Sequence, residues 1–250
     1  MRRLLAIPLL VLLLGAGGQQ VVNTGHHRTA PPVSAGLAIV SGATHQCKNS
    51  SGSGGNISCT VTGANAGDLL MIYGAMDHDI PPSFTDSAGT PATPVIYGLN
   101  SYSAVTVEPN ISAGPHTITM SGAVFESSLV LQEYSGAALS SAMGANNGGG
   151  NSGNFSPVNC SALTSTQSNS MTFVGIVISG GTASSTLGSL TNSFVQRQSN
   201  TTPNVLVTST ADNVATLNGS SGSSISTSQS YTAGSGANSW DCLEVEIKHP

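Results

Sequence analysis

The stretch that most limits what this chain can fold into is Gly67-Asp68-Leu69-Leu70-Met71-Ile72-Tyr73-Gly74-Ala75-Met76. A continuous apolar run from Leu69 to Tyr73, with Gly-Asp before it and Asp77-His78-Asp79 after, suits a strand buried on both faces. It is too short for a comfortable helix.

Further strand candidates follow at regular intervals: 36–41, 45–49, 57–62, 69–76, 94–97, 102–108, 116–120 and 129–134 in the first part. In the second part they fall at 171–178, 193–197, 204–208, 215–217, 224–228 and 239–248. Turn-formers such as Asp86-Ser87-Ala88-Gly89 and Ser112-Ala113-Gly114-Pro115 separate them. Short strands at this spacing, without helical periodicity after the first residues, predict an all-β protein, an antiparallel β-sandwich of the jelly-roll kind. Only 7% of residues are charged, and Ser, Thr, Asn and Gly fill much of the rest. Such a composition also occurs in disordered chains, but the recurring apolar strands argue against disorder here.

The chain opens with Met1-Arg2-Arg3, an apolar segment Leu4 to Leu14 and the small residues Gly15-Ala16-Gly17-Gly18. This is the layout of a signal peptide over residues 1–18, cleaved near Gly17 or Gly18. Its apolar segment is too short for a permanent membrane span, and no later segment predicts one, so the mature chain is expected to be exported. Residues 19–35, with His26-His27-Arg28 and Pro31-Pro32, read as a flexible leader. The balance is mildly acidic with no basic cluster, which removes nucleic acid and anionic lipid as expected partners.

Cys47, Cys59, Cys160 and Cys242 are even in number in a chain expected to be exported, which favours disulfides over metal ligation. Four cysteines allow three pairings. The turn-rich segment between Cys47 and Cys59 favours a hairpin disulfide there, leaving Cys160 with Cys242.

The Gly- and Asn-rich residues 137–156 read as a flexible connection. Across it the halves rhyme: 69–75 answers 171–178, 102–108 answers 204–208, and 129–134 answers 243–247. One sandwich over 36–250 is the favoured organisation, with two sandwiches, 36–137 and 157–250, as the alternative.

The succession Gly67-Asp68-Leu69-Leu70, Phe84-Thr85-Asp86-Ser87-Ala88-Gly89, Ala113-Gly114-Pro115-His116-Thr117-Ile118-Thr119 and Glu133-Tyr134-Ser135-Gly136 resembles a group of secreted bacterial jelly-roll modules, broadly concanavalin A-like. The resemblance covers Gly67 to Gly136; after Met171 only the placing of strands agrees. Many members carry an aromatic residue where this chain has Ala75 or Met76, and a fuller Asp-Ser-x-Gly-Asn-x-Tyr where it has Thr90-Pro91-Ala92. The resemblance implies a fold and an extracellular setting, and lends no single activity.

Several residues are candidates for chemistry. Asp77, Asp79 and Asp86 are the local concentration of acids, and their oxygens could supply a calcium site; Asp-rich strand ends are equally ordinary turn-formers. Tyr97, Tyr102 and Trp240 are the aromatics available to stack on sugar rings, although Trp240 could instead pack over a disulfide at Cys242. Glu133, Glu244 and Glu246 raise a glycosidase pair. Alternation, however, puts Leu243, Val245 and Ile247 inside and leaves Glu244 and Glu246 as a solvated stripe. His116 shares a face with Ile118 and Met120 and reads as a core or strand-end residue; no Gly-x-Ser-x-Gly elbow is present.

The expected function is that of a secreted or cell-surface, non-catalytic binding or adhesive module, with an extracellular glycan or cell-surface component as partner. The alternatives are a carbohydrate-active hydrolase using a carboxylate pair, and a structural subunit whose leader donates a strand to a neighbour.

Overall fold

A computed structural model of the protein describes residues 36–77, 80–99, 101–123, 125–152, 156–179, 186–202, 206–232 and 239–250. The expected signal peptide and leader lie outside the described residues. Among the described residues every regular element is a strand and every strand pairing is antiparallel.

The first half holds β1 (Ala38–Ile39), β2 (Gln46–Ser51), β3 (Ile57–Ala64), β4 (Leu69–Asp77), β5 (Ser83–Asp86), β6 (Val95–Gly98), β7 (Ser101–Pro109), β8 (Gly114–Ser121) and β9 (Ser127–Ser135). The second holds β10 (Met143–Ser152), β11 (Val158–Asn159), β12 (Leu163–Thr164), β13 (Met171–Ser179), β14 (Thr186–Leu190), β15 (Val195–Thr201), β16 (Val207–Asp212), β17 (Ser224–Ile225), β18 (Ser228–Thr232) and β19 (Ser239–Ile247).

Each half builds one large sheet around a central strand. In the first, β4 lies between β9 and β7, with β6 beyond β7 and both β2 and β1 beyond β9. In the second, β13 lies between β19 and β16, with β15 and β10 outermost. The order is the same in both, and so is the register: Leu69 faces Tyr134 where Met171 faces Ile247. The rhyme in the sequence thus corresponds to a repeated sheet order. One of its members is displaced, since β16 begins at Val207 rather than at 204.

Alternation sends the two sides of each central strand into different cores. Leu69, Met71, Tyr73 and Ala75 enter a cluster shared with Phe173, Leu243, Val245 and Ile247 of the second large sheet. Leu70, Ile72 and Met76 pack instead against Ile118 and Met120 of a small sheet ordered β3-β8-β5. Similarly Val174, Ile176 and Ile178 of β13 pack with Val158, Tyr231, Trp240 and Cys242, towards the small sheets β11-β18-β14 and β12-β17. Burial on both faces is why Leu69 to Tyr73 lacks polar positions, each large apolar side chain there contributing about 1.5–3 kcal/mol. At the shared core the Tyr73 ring occupies the space a side chain at residue 175 would need: a Cβ on Gly175 would lie 2.2 Å from it.

Two expectations are corrected. Within 137–156, residues Met143–Ser152 are not a loose connection, because β10 pairs along β19 from Met143 opposite Ile247 to Ser152 opposite Ser239. Its glycines leave room for neighbours: a Cβ on Gly148 would meet the Tyr97 ring, and one on Gly150 the Asp241 carboxylate, each at 2.2 Å. Glu244 and Glu246 are not a solvated stripe. Both are fully buried, because the outward face of β19 is covered in turn by the small sheets and the loop before β13.

Cys47 is joined to Cys59, and Cys160 to Cys242, with Cα separations of 5.8 and 5.4 Å. This is the expected pairing, and it is consistent with an extracellular protein. No helix among the described residues is long and apolar enough to cross a membrane.

Candidate metal centre

Strand alternation brings three ionisable side chains together between the first large sheet and its small neighbour. On β8, His116, Ile118 and Met120 point inward while Thr117 and Thr119 are half-exposed. On β7, Glu108 is paired with Leu70 and shares its face, towards the small sheet. Asp86 closes β5 opposite Ile118. One donor atom from each of Asp86, Glu108 and His116 lies within 4.8 Å of the others.

The contacts define the histidine's chemistry. Its Nδ1 lies 2.5 Å from Asp86 Oδ2 and 4.0 Å from Glu108 Oε1, and its Nε2 lies 3.0 Å from the Ser112 carbonyl oxygen. A carbonyl only accepts, so Nε2 carries a proton and donates it there. Burial alone would lower the His116 pKa; the bonds to Asp86 and to the Ser112 carbonyl outweigh it and raise the value. Burial, then repulsion from Asp86, pushes Glu108 up to about 7. Glu108 is 5% exposed, and its Oε2 is buried with no hydrogen-bond partner. The turn after Asp86 closes over it, where a Cβ on Gly89 would lie 1.4 Å from Glu108 Oε1.

Ser112 Oγ lies 3.3 Å from His116 Nε2, so serine, histidine and aspartate stand in sequence. The arrangement is not that of an activated nucleophile, because a general base needs a free lone pair where Nε2 donates to Ser112's own carbonyl.

Two of the three acids predicted for calcium are described, and their contacts differ. Asp77 ends β4 opposite Ser101 with its N–H donating to the Glu126 carbonyl, Asp79 lies outside the described residues, and Asp86 turns to His116. The three aromatics are also divided. Tyr97 pairs with Ser103 and packs at the shared core, whereas Tyr102 is the next residue of β7 before Ser103 and takes the opposite face. Trp240 is 6% exposed, in the cluster that contains Cys160 and Cys242.

Of the acids considered for glycosidic chemistry, Glu133 and Glu246 are held by the scaffold, whereas Glu244 keeps its Oε2 buried without a hydrogen-bond partner. Glu246 accepts N–H bonds from Ala145, Thr166 and Gln167 and hydroxyl bonds from Thr166 and Ser170. Burial would raise its pKa, but these donors outweigh it and hold the value below the ordinary one. Glu244 has fewer donors; burial pushes it up to about 8 against the Thr227 and Leu163 amides. Glu133 accepts from the Asn65 amide at 2.8 Å and meets His45 Nδ1 at 2.7 Å.

Two open depressions lie among the described residues. A shallow groove of about 460 Å³ runs between edge strands β2 and β15, lined by Gln46, Lys48, Gln196, Arg197, Gln198 and Ser199 among others. Arg197 is committed to Asp212, donating from Nε at 2.7 Å and Nη2 at 2.6 Å, and Lys48 Nζ donates to the Ser199 carbonyl at 2.8 Å. The second, of about 420 Å³, lies by Ser140, Gln167, Lys248 and His249.

Reading the sequence missed Glu108 and the groove. The signal for Glu108 was an acid at the end of Ser103-Ala104-Val105-Thr106-Val107, a run with too few polar positions to have a solvent face. The groove had none, because β2 and β15 meet only through the packing of the two large sheets. Comparison of the chain with protein-family models, with curated proteins and with solved structures gave no match.

Proposed function

We propose that the chain is an exported jelly-roll β-sandwich that binds an extracellular or cell-surface ligand without transforming it, and that the groove between β2 and β15 holds that ligand. The observation that carries this reading is the groove's lining: the Gln46 and Gln196 side chains beside Lys48, at the joint between two sheet edges, with Gln198 beneath them donating to the Leu131 carbonyl. Amides paired with a cation suit hydroxyl- and carboxylate-bearing ligands, and glycans containing uronic acids or sulfate are the class that fits best. The two disulfides support an oxidising compartment. The division of Tyr97, Tyr102 and Trp240 between different surfaces favours recognition by hydrogen bonds and charge over ring stacking.

An array of neutral, uronate-bearing and sulfated glycans tests the reading, with Lys48→Ala as the control. Selective binding to the acidic glycans, weakened roughly tenfold or more in the variant and by added salt, is the expected result. Binding to none of them, or binding indifferent to Lys48, would overturn it.

A further inference from the structure

We propose that Asp86, Glu108 and His116 bind one divalent transition-metal ion, with Zn²⁺ the best-matched species. Two carboxylates and an imidazole converge from three different strands, and their donor atoms lie within 4.8 Å of one another. The set is therefore held by sheet pairing rather than by a loop.

Two features point to an ion rather than to a simple buried cluster. Glu108 Oε2 is buried without a partner, a condition that costs about 1–3 kcal/mol for a polar group and that a cation would relieve. The second is the orientation of His116. Its Nε2–H is anchored on the Ser112 carbonyl, which fixes the ring and turns Nδ1 towards the two acids. Metal-ligating histidines are held in this way, one nitrogen donating to a backbone carbonyl and the other facing the metal. Gly89 lets the turn cover the cluster in either case. Any side chain there would overlap the Glu108 carboxylate, so the turn above the cluster fits only because residue 89 has none.

The donor set selects the class of ion. Calcium and magnesium take oxygen ligands, whereas an imidazole nitrogen beside carboxylates suits zinc and its first-row neighbours. Three protein ligands leave the fourth position of a tetrahedral ion for water. This site is separate from the groove between β2 and β15, so either proposal can fail without the other.

The experiment uses the exported chain with both disulfides intact, stripped with chelator and titrated calorimetrically with Zn²⁺ and separately with Ca²⁺. The expected result is one zinc per chain, no comparable calcium uptake, and a rise in Tm on adding zinc. Glu108→Gln keeps the shape of the side chain but is a poor ligand, and should weaken zinc binding at least tenfold while its metal-free Tm stays at or above that of the parent. The variant retains His26, His27 and His249, so adventitious binding at the chain ends would survive in it. Stoichiometric zinc binding of unchanged affinity in Glu108→Gln would overturn the proposal, as would no uptake by the parent chain or a preference for calcium. Retention of a proton shared by Asp86 and Glu108, in place of an ion, would show as the second of these.

Discussion

Glu133 and Glu246 occupy the same place in the two halves, yet their surroundings differ. Each sits on the strand beside the central one, opposite Leu70 in the first half and Thr172 in the second. Each holds the loop that leads into the central strand, through Asn65 in one case and through Thr166, Gln167 and Ser170 in the other. Glu246 is surrounded by neutral donors alone. Glu133 shares its place with His45 and with Asp68, whose own pKa is raised to about 6 by burial and by Glu133. The same topological position thus carries a saturated carboxylate in one half and a cluster of ionisable groups in the other. The outward cores differ in a parallel way. Both outward cores hold a disulfide, Cys47–Cys59 in the first half and Cys160–Cys242 in the second, but the first adds Asp86, Glu108 and His116 between its sheets where the second has Trp240.

The largest expected effects in either half come from the disulfides. Cys160–Cys242 spans 82 residues and Cys47–Cys59 spans 12. In the chain-entropy model these contribute about 4.5 and about 3 kcal/mol. Replacing each pair by alanine, with denaturant unfolding as the readout, should therefore cost more in the second half; equal costs would break the comparison.

The two glutamates come next. Glu246→Gln removes the charge that at least five hydrogen bonds address and should cost about 3 kcal/mol at neutral pH. Glu133→Gln should cost about 1 kcal/mol, because it also relieves the repulsion with Asp68. Chemical denaturation of both variants checks the order, and a larger loss for Glu133→Gln would reverse the reading of the two sites.

The remaining effect is one of pH. Glu244 has a folded-state pKa raised to about 8, above its ordinary value. Its contribution to stability is complete below the ordinary carboxylate value and is lost as pH rises towards 8, with a slope of at most about 1.4 kcal/mol per pH unit. Glu246 has the opposite sign: its lowered pKa gives stability above the ordinary value, lost as pH falls through the folded one. Glu244→Gln should flatten the decline between about pH 5 and 8 in a series of Tm measurements. An unchanged slope would remove Glu244 as its source.

Much of this arrangement was legible in the sequence. The run Leu69 to Tyr73 announced a strand buried on both faces, and the rhyme between halves marked β4 with β13 and β9 with β19; the expected cysteine pairing is present, but Cys47–Cys59 joins two sheets rather than a hairpin, since β2 pairs with β9 and β3 with β8. What was not legible depended on partners distant in sequence. The Gly-Asn run of β10 has the composition of a linker and becomes a strand only because β19 offers a ladder and Tyr97 and Asp241 need the space its glycines leave. Glu244 and Glu246 were assigned to solvent by a correct alternation, since alternation separates two faces and does not say that one of them is wet. Of the candidate metal centre, Asp86 and His116 were both noticed, but for different reasons. Their meeting with Glu108 required knowing that β5 and β8 pack over β7.

The two halves, though repeated in sheet order, are joined through one core at which Tyr73 fills the space over Gly175. Scanning calorimetry of the oxidised chain, with Gly175→Ala as the perturbation, tests this most directly. The account predicts a single transition whose calorimetric and van't Hoff enthalpies agree, moved as a whole to lower temperature by the substitution. Two separable transitions, of which Gly175→Ala moves only one, would contradict it.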